Sequence, residues 1–210
     1  MFKNIFQVSS KWLTPVLPYL AVGSGVFWFR NAWAALLGFH LAILLSLLFV
    51  GARFPIKALF KSNHIHWLVL SVVLCGSAGI FLYFFWSSFG IASDISAHIV
   101  TLGLDSANWR AFIAYFSLVN PFMEEYFWRG YLGSATRYIH ISDFAYAGFH
   151  ALILVGNMPL SSIIYGLIAL VLAGWFWRQV AREDGGLLAP VLGHMAADFT
   201  ILMTVYRMSL

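Results

Sequence analysis

The chain has 210 residues, of which 61% are hydrophobic and only 10% charged. Soluble domains carry about 25% charged residues, so this composition excludes an ordinary soluble domain and indicates a polytopic membrane protein. The formal net charge is +4. The basic residues lie in short loops between apolar runs rather than in one patch, which argues against nucleic-acid binding and is typical of contacts with lipid headgroups.

Seven apolar segments are candidates for transmembrane helices, because about 20 apolar residues are needed to cross a bilayer. These segments are residues 12–29, 32–51, 67–91, 110–132, 142–157, 160–181 and 187–206. The first and fifth are short, so we expect them to be tilted, re-entrant or half-buried. The sequence therefore predicts an all-α transmembrane helical bundle of about seven spans, without internal repeats or a separable soluble domain.

The distribution of lysine and arginine predicts the orientation of this bundle, because cytoplasmic loops of membrane proteins are enriched in both. One side collects Lys3, Lys11, Arg53, Lys57, Lys61, Arg137, Arg178 and Arg182. The other side collects Arg30, Arg110 and Arg207. We therefore expect a cytoplasmic N-terminus and, with seven spans, a C-terminus on the opposite side.

Two adjacent glutamates, Glu124 and Glu125, interrupt the fourth apolar segment, and Arg129 follows one helical turn later. A charge within the bilayer costs about 2.5–3.5 kcal/mol on insertion scales, so such residues are functional candidates. Glu125 and Arg129 have the i, i+4 order that favours an ion pair. Glu124 is then left without an intrahelical counter-ion, which suits a general base. Pro121 is expected to kink the helix just before the glutamates. The alternative is an ion network that only holds helices together.

Further polar residues interrupt two other segments: His150 lies in the fifth, and His194 and Asp198 lie in the seventh. Asp198 follows His194 by four residues, so the carboxylate can orient the imidazole, and the pair can stabilise an oxyanion with His194 as donor. At about 1.5 Å per residue, Glu124, His150 and His194 all fall roughly 10–12 Å below the cytoplasmic face. A glutamate and an imidazole that meet there can activate a water molecule. The alternatives are a packing role for His150 and a self-satisfied His194–Asp198 pair.

Other polar residues receive weaker interpretations. Glu124, His150 and His194 form a ligand set that zinc accepts, although nothing in their spacing demands a metal. The single cysteine, Cys75, is expected to pack in a span. The remaining histidines are placed in loops or near helix ends and receive no role; they are His40, His64, His66, His98 and His140.

Three motifs resemble those of one family, the CAAX protease and bacteriocin-processing (CPBP or Abi) intramembrane proteases, which are related to type II CAAX prenyl endopeptidases. The run from Glu124 to Arg129 resembles the family's Glu-Glu-x-x-x-Arg motif. Tyr146 to His150 resembles its Phe-x-x-x-His motif, with a tyrosine in place of phenylalanine. His194 to Asp198 resembles its His-x-x-x-Asn/Asp motif. The resemblance covers residues 110–206, a catalytic helical core. Residues 1–109 form N-terminal helices of the same membrane domain and carry no motif specific to the family.

This resemblance implies roles for the motif residues. Glu124 and His150 activate water, and His194 and Asp198 form the oxyanion and orienting pair. The supporting residues are Glu125, Arg129 and Tyr146. The resemblance favours a mechanism without a metal or other cofactor.

The resemblance also implies an integral protein of the bacterial cytoplasmic (inner) membrane that contacts the lipid bilayer and cleaves a membrane-associated protein or peptide. The sequence leaves the substrate and the oligomeric state open. Two alternatives are a non-catalytic membrane protein that binds a partner or confers bacteriocin self-immunity, and a proton-coupled transporter. No inverted repeat favours a transporter.

Overall fold

The computed structural model describes residues 11–52, 54–105 and 107–209, and within these ranges its regular secondary structure is entirely helical. The all-α class is therefore confirmed. The α-helices are α1 (Val16–Gly23), α2 (Ala32–Phe49), α3 (Ile65–Phe84), α4 (Ile95–Thr101), α5 (Trp109–Glu124), α6 (Ile141–Gly148), α7 (Ala151–Leu154), α8 (Leu160–Asp184) and α9 (Leu188–Met208). Two of the basic residues used to predict orientation, Lys3 and Arg53, lie outside the described ranges.

Four helices within the described ranges, α2, α3, α8 and α9, are long and apolar enough to cross a membrane. The predicted count of about seven spans is not confirmed. The first segment forms the short α1, which continues as the π-helical segment Ser24–Trp28. The fifth segment is divided into α6 and α7 by a turn at residues 149–150. Such short or broken segments cannot cross a bilayer of ordinary thickness as single straight helices.

The helix α9 lies at the centre of the packing and contacts α3, α5 and α8. Its contact with α3 is especially close at Gly79, where an added Cβ would lie 2.2 Å from the carbonyl oxygen of Thr200. The Thr204 hydroxyl donates to the Gly79 carbonyl across the same contact at 2.9 Å. Small residues at such positions allow transmembrane helices to approach closely. This packing fixes α9, and with it His194, against the interior of the bundle.

The largest apolar cluster includes residues of the first two motif segments and joins them to α2 and α8. Its buried members include Phe39, Ile43, Phe127, Trp128, Tyr146, Phe149 and Trp177. Large apolar side chains on α3 are exposed instead, as in Val73 and Phe84. Apolar side chains directed outward are expected where a helix faces lipid tails rather than water. The polar motif residues therefore lie inside the protein rather than on its lipid-facing surface.

Candidate active site

The two glutamates lie at a change of helix type. The α-helical α5 ends at Glu124, and the π-helical segment Glu125–Tyr131 follows directly. Pro121, inside α5, has no backbone N–H to donate, which weakens the α-helical hydrogen bonding in this turn. Single π-helical turns occur frequently at functional sites. The helix changes from α to π geometry between the two glutamates, and the kink predicted at Pro121 stays a prediction.

Glu125 is fully buried and joins two of the three motifs. Its Oε1 lies 3.1 Å from a terminal nitrogen of Arg129, which confirms the predicted i, i+4 ion pair. The same oxygen accepts a hydrogen bond from Nδ1 of His194 at 2.9 Å. Glu125 thus connects its own helix to α9. Since Arg129 and His194 are buried as well, their positive character is matched inside the protein by this one carboxylate.

Two aromatic rings enclose the Arg129 guanidinium. The guanidinium carbon lies 3.9 Å from the ring centre of Tyr146 and 4.9 Å from that of Trp177. Trp177 also stacks on the imidazole of His194, with ring centres 4.5 Å apart. Cation–π contacts in a desolvated site stabilise a cation by about 2 kcal/mol. Trp177, on α8, was missed by the sequence reasoning, because one tryptophan in a chain with nine carries no distinguishing signal.

His150 lies in the turn between α6 and α7. Its Nδ1 is 3.2 Å from the carbonyl oxygen of Tyr146, and since a carbonyl can only accept, Nδ1 must donate. In the neutral ring this assigns the proton to Nδ1 and leaves Nε2 as a lone-pair acceptor. The ring packs on Phe149 at 4.0 Å and against Tyr146 at 5.2 Å. Tyr146 therefore contacts His150 on one side and His194, at 6.0 Å, on another.

Asp198 lies close to His194 but does not hydrogen-bond it. Its Oδ1 is 3.6 Å from Nε2 of His194, which is longer than a hydrogen bond. Within the described residues, the hydrogen-bond partner of the His194 ring is Glu125 rather than Asp198. The two carboxylates thus flank opposite ring nitrogens. The orienting contact predicted for Asp198 is made in this arrangement by Glu125.

Glu124 is 2% exposed and accepts a hydrogen bond from the amide Nδ2 of Asn120 to its Oε1 at 2.8 Å. Its other oxygen, Oε2, is buried and makes no hydrogen bond to any residue that the structure describes. Asn120 in turn contacts His40, whose Nε2 lies 3.1 Å from Oδ1 of Asn120. The prediction that His40 lies in a loop or near a helix end is wrong, because it is buried inside α2.

The polar groups do not assemble into a metal site in the described part of the chain. No group of three or more His, Cys, Asp or Glu side chains there is arranged to hold a metal ion. Glu124, His150 and His194 are therefore not gathered as a zinc ligand set. The predicted independence from metal stays a prediction, which chelation of the purified protein can test.

The fold and this site define an integral membrane protein with a buried constellation of carboxylates, histidines and an arginine. A family model described as type II CAAX prenyl endopeptidase, Rce1-like, matches residues 106–200, a range that contains all three motifs. The match agrees with the resemblance indicated by the motifs, and residues 106–200 are similar to this family. The family implies a CAAX-type intramembrane protease. Comparisons with curated proteins and with solved structures found no match.

Proposed function

We propose that the protein is an intramembrane endopeptidase that hydrolyses a peptide bond with a water molecule activated by Glu124 and His150. The main support is the family match across residues 106–200, which includes both of these residues. The burial of Glu124, with one carboxylate oxygen bonded to Asn120 and the other unbonded, adds to it. A carboxylate with one unbonded oxygen in a poorly solvated site has the properties of a general base.

In the proposed reaction, Oε2 of Glu124 takes a proton from water, and the resulting hydroxide attacks the carbonyl carbon of the scissile bond. The neutral imidazole of His150 orients the water through Nε2, because Nδ1 donates to the Tyr146 carbonyl. The tetrahedral intermediate then collapses, and the C–N bond breaks as Glu124 returns the proton to the leaving nitrogen. The products are a carboxylic acid and an amine, and Glu124 is again ionised.

His194 and Asp198 are proposed to stabilise the oxyanion of that intermediate. Since Nδ1 of His194 donates to Glu125, a second donor at Nε2 requires the ring to carry both protons. Asp198, whose Oδ1 lies 3.6 Å from Nε2, favours this doubly protonated ring through its negative charge. Preorganised donors of this kind typically contribute about 10²–10³-fold to the rate of acyl transfer. Glu125 and Arg129 hold His194 in place and do not touch the substrate.

The proposed substrate is a membrane-associated protein or peptide, cleaved near the cytoplasmic face of a bacterial inner membrane. This placement follows the loop distribution of lysine and arginine. Cysteine labelling with a membrane-impermeant maleimide tests the orientation in a Cys75→Ala background. We expect Lys57→Cys to react only after permeabilisation and Asp105→Cys to react in intact cells. The reverse pattern would show that the orientation is inverted.

Two assays test the peptidase activity of the full chain. New protein termini are identified by mass spectrometry in native membranes that contain the wild type or Glu124→Gln. In parallel, the purified proteins are incubated with a quenched fluorescent peptide that carries a farnesylated CAAX sequence and with its unprenylated counterpart. We expect cleavage by the wild type and no cleavage by Glu124→Gln in whichever assay contains a substrate.

Glu183→Gln is the matched control, because it makes the same chemical change at an exposed carboxylate whose one ion pair with a described residue is to Arg182. It should cleave like the wild type. Equal cleavage by the wild type and Glu124→Gln would overturn the assignment of Glu124. Absence of cleavage in both assays by folded wild-type protein would favour a non-catalytic, partner-binding role.

A further inference from the structure

Three hydrogen-bonded polar side chains, Asn120, His40 and Tyr115, connect Glu124 to the N-terminal half of the protein. Asn120 donates from Nδ2 to Oε1 of Glu124 at 2.8 Å. His40, on α2, lies 3.1 Å from Oδ1 of Asn120 through its Nε2. The Nδ1 of the same ring lies 3.2 Å from the hydroxyl of Tyr115. The chain therefore runs from Tyr115 through His40 and Asn120 to the carboxylate.

The direction of each hydrogen bond in this chain follows from its acceptors. Oδ1 of Asn120 can only accept, so Nε2 of His40 must donate to it. In the neutral ring Nδ1 then accepts from the Tyr115 hydroxyl. If the Asn120 amide were turned over, Oδ1 would face Oε1 of Glu124, and two acceptors would meet unless the glutamate were protonated. The observed direction therefore suits an ionised Glu124, and every donor points toward it.

The burial of these hydrogen-bonded side chains indicates that they have a role beyond packing. His40, Asn120 and Glu124 are each at most 6% exposed, and the neighbouring residue Phe39 belongs to the main apolar cluster. A polar side chain in such surroundings costs stability unless its hydrogen bonds are satisfied. An aliphatic residue at position 40 would fill the same space without that cost. His40 also lies outside residues 106–200, so this contact connects the N-terminal half to the matched range.

We propose that His40 and Asn120 are positioning residues for Glu124, which hold Oε1 so that Oε2 is the oxygen that receives the proton of water. This inference rests on the peptidase function proposed above. Tyr115 fixes the tautomer of His40 that donates to Asn120. A base held by one oxygen keeps a single orientation toward the water, and small losses of orientation reduce the rate of a chemical step strongly. The N-terminal half thereby supplies a residue that the reaction needs.

The test compares kcat and KM of purified, full-length variants on the peptide substrate that the wild type cleaves. Asn120→Asp keeps the size of the side chain but removes the donor to Glu124. We expect its kcat to fall about 10- to 100-fold, as for loss of a hydrogen bond to a charged group, with KM unchanged. Asn157→Asp is the matched control, because within the part of the chain that the structure describes the amide of Asn157 donates only to the backbone carbonyl of Ile153. Its kcat should equal that of the wild type.

A second pair of variants separates positioning from packing at position 40. His40→Leu fills the space but cannot donate, whereas the amide of His40→Gln can donate to Asn120. We expect kcat to fall in His40→Leu and to recover in His40→Gln, while KM stays constant in both. If the two variants lose kcat equally, or lose none, the inference is wrong. This pair decides the question even if Asn120→Asp does not fold.

The outcome is distinguishable from failure of the peptidase function itself. If Glu124→Gln abolishes cleavage while Asn120→Asp and His40→Leu cleave like the wild type, only the positioning inference fails. If Glu124→Gln cleaves like the wild type, the proposed role of Glu124 fails first. The thermal unfolding of His40→Leu, Glu124→Gln and the double variant then tests, without an activity assay, whether His40 and Glu124 are coupled through these hydrogen bonds. Additive shifts would show that the two residues are not coupled and would overturn the inference independently of activity.

Discussion

The Glu125 carboxylate accepts a hydrogen bond from Nδ1 of His194 across two helices, at 2.9 Å, while the same oxygen lies 3.1 Å from Arg129. Glu125 therefore joins the first motif to the third through a hydrogen bond between residues 69 positions apart in the chain. Among the described residues, Glu124 makes no hydrogen bond to Arg129 or His194 and is held by Asn120 instead. The two adjacent carboxylates thus have separate partners, which is expected since neighbouring side chains on a helix point about 100° apart.

This arrangement predicts that Glu125→Gln damages stability as well as activity. The change leaves the buried charge of Arg129 without a counter-ion, and removal of one partner of a buried pair costs about 3–5 kcal/mol. We expect a lower free energy of unfolding in detergent and reduced abundance in the membrane. Glu183→Gln removes an exposed pair with Arg182 and should change stability by less than about 1 kcal/mol. Equal stability of the two variants would contradict this role of Glu125.

Tyr146→Phe and Tyr146→Leu are predicted to differ sharply. The Tyr146 ring packs against Arg129, His150 and His194, and phenylalanine preserves all three ring contacts. We therefore expect Tyr146→Phe to keep most of the activity. Tyr146→Leu loses the cation–π contact with Arg129, which costs about 2 kcal/mol in a buried site, and should lose both stability and activity. Peptide cleavage and thermal unfolding of the two variants check this difference. Similar losses in both would show that the hydroxyl, rather than the ring, is essential.

Local sequence relationships allowed part of the site to be predicted. The ion pair of Glu125 and Arg129 was predictable because four residues on a helix always bring two side chains onto one face. The all-α class was predictable from the length and apolarity of the segments. The number of spans was not, because α6 and α7 are separated by a turn that apolar composition does not reveal.

Contacts between distant segments could not be predicted in the same way. His40 and Asn120 are 80 residues apart, and no periodicity relates positions on two different helices. Each residue alone has an ordinary explanation, as a helix-end histidine or a polar residue before Pro121. The two side chains come within hydrogen-bonding distance only because α2 packs against α5. The same holds for Trp177, which meets His194 from a third helix.

Gly174→Ala is predicted to disturb the site through its contacts with Tyr146 and Arg129. An added Cβ at Gly174 would lie 3.1 Å from the ring of Tyr146 and 3.4 Å from a terminal nitrogen of Arg129. The buried Tyr146 ring would have to shift by a few tenths of an ångström, and overpacking of this kind costs about 1–3 kcal/mol. Gly166→Ala on the same helix is the matched control, because its Cβ would meet only the flexible end of Leu154 at 3.5 Å. We expect reduced cleavage for Gly174→Ala alone, and equal activity of both variants would contradict this packing.

Arg178→Lys is predicted to loosen residues 133–140, which join the π-helical segment Glu125–Tyr131 to α6. Arg178 was assigned to the cytoplasmic surface from the sequence, yet it is 3% exposed and pairs with Asp143 through two hydrogen bonds of 3.0 and 2.7 Å. Its guanidinium also donates to the backbone carbonyls of Ser134 and Tyr138. A lysine ammonium cannot reproduce this planar set of donors.

Carbonyls that lose their partner inside the protein cost about 1–3 kcal/mol each, so we expect Arg178→Lys to lower the free energy of unfolding by at least that amount. Limited proteolysis should then cut within residues 133–140 faster than in the wild type. Arg182→Lys provides the control, since Arg182 bonds only Gln179 and Glu183 within the described residues. If both arginine variants resist proteolysis equally, Arg178 does not hold this connection, and the segment is fixed by its other contacts.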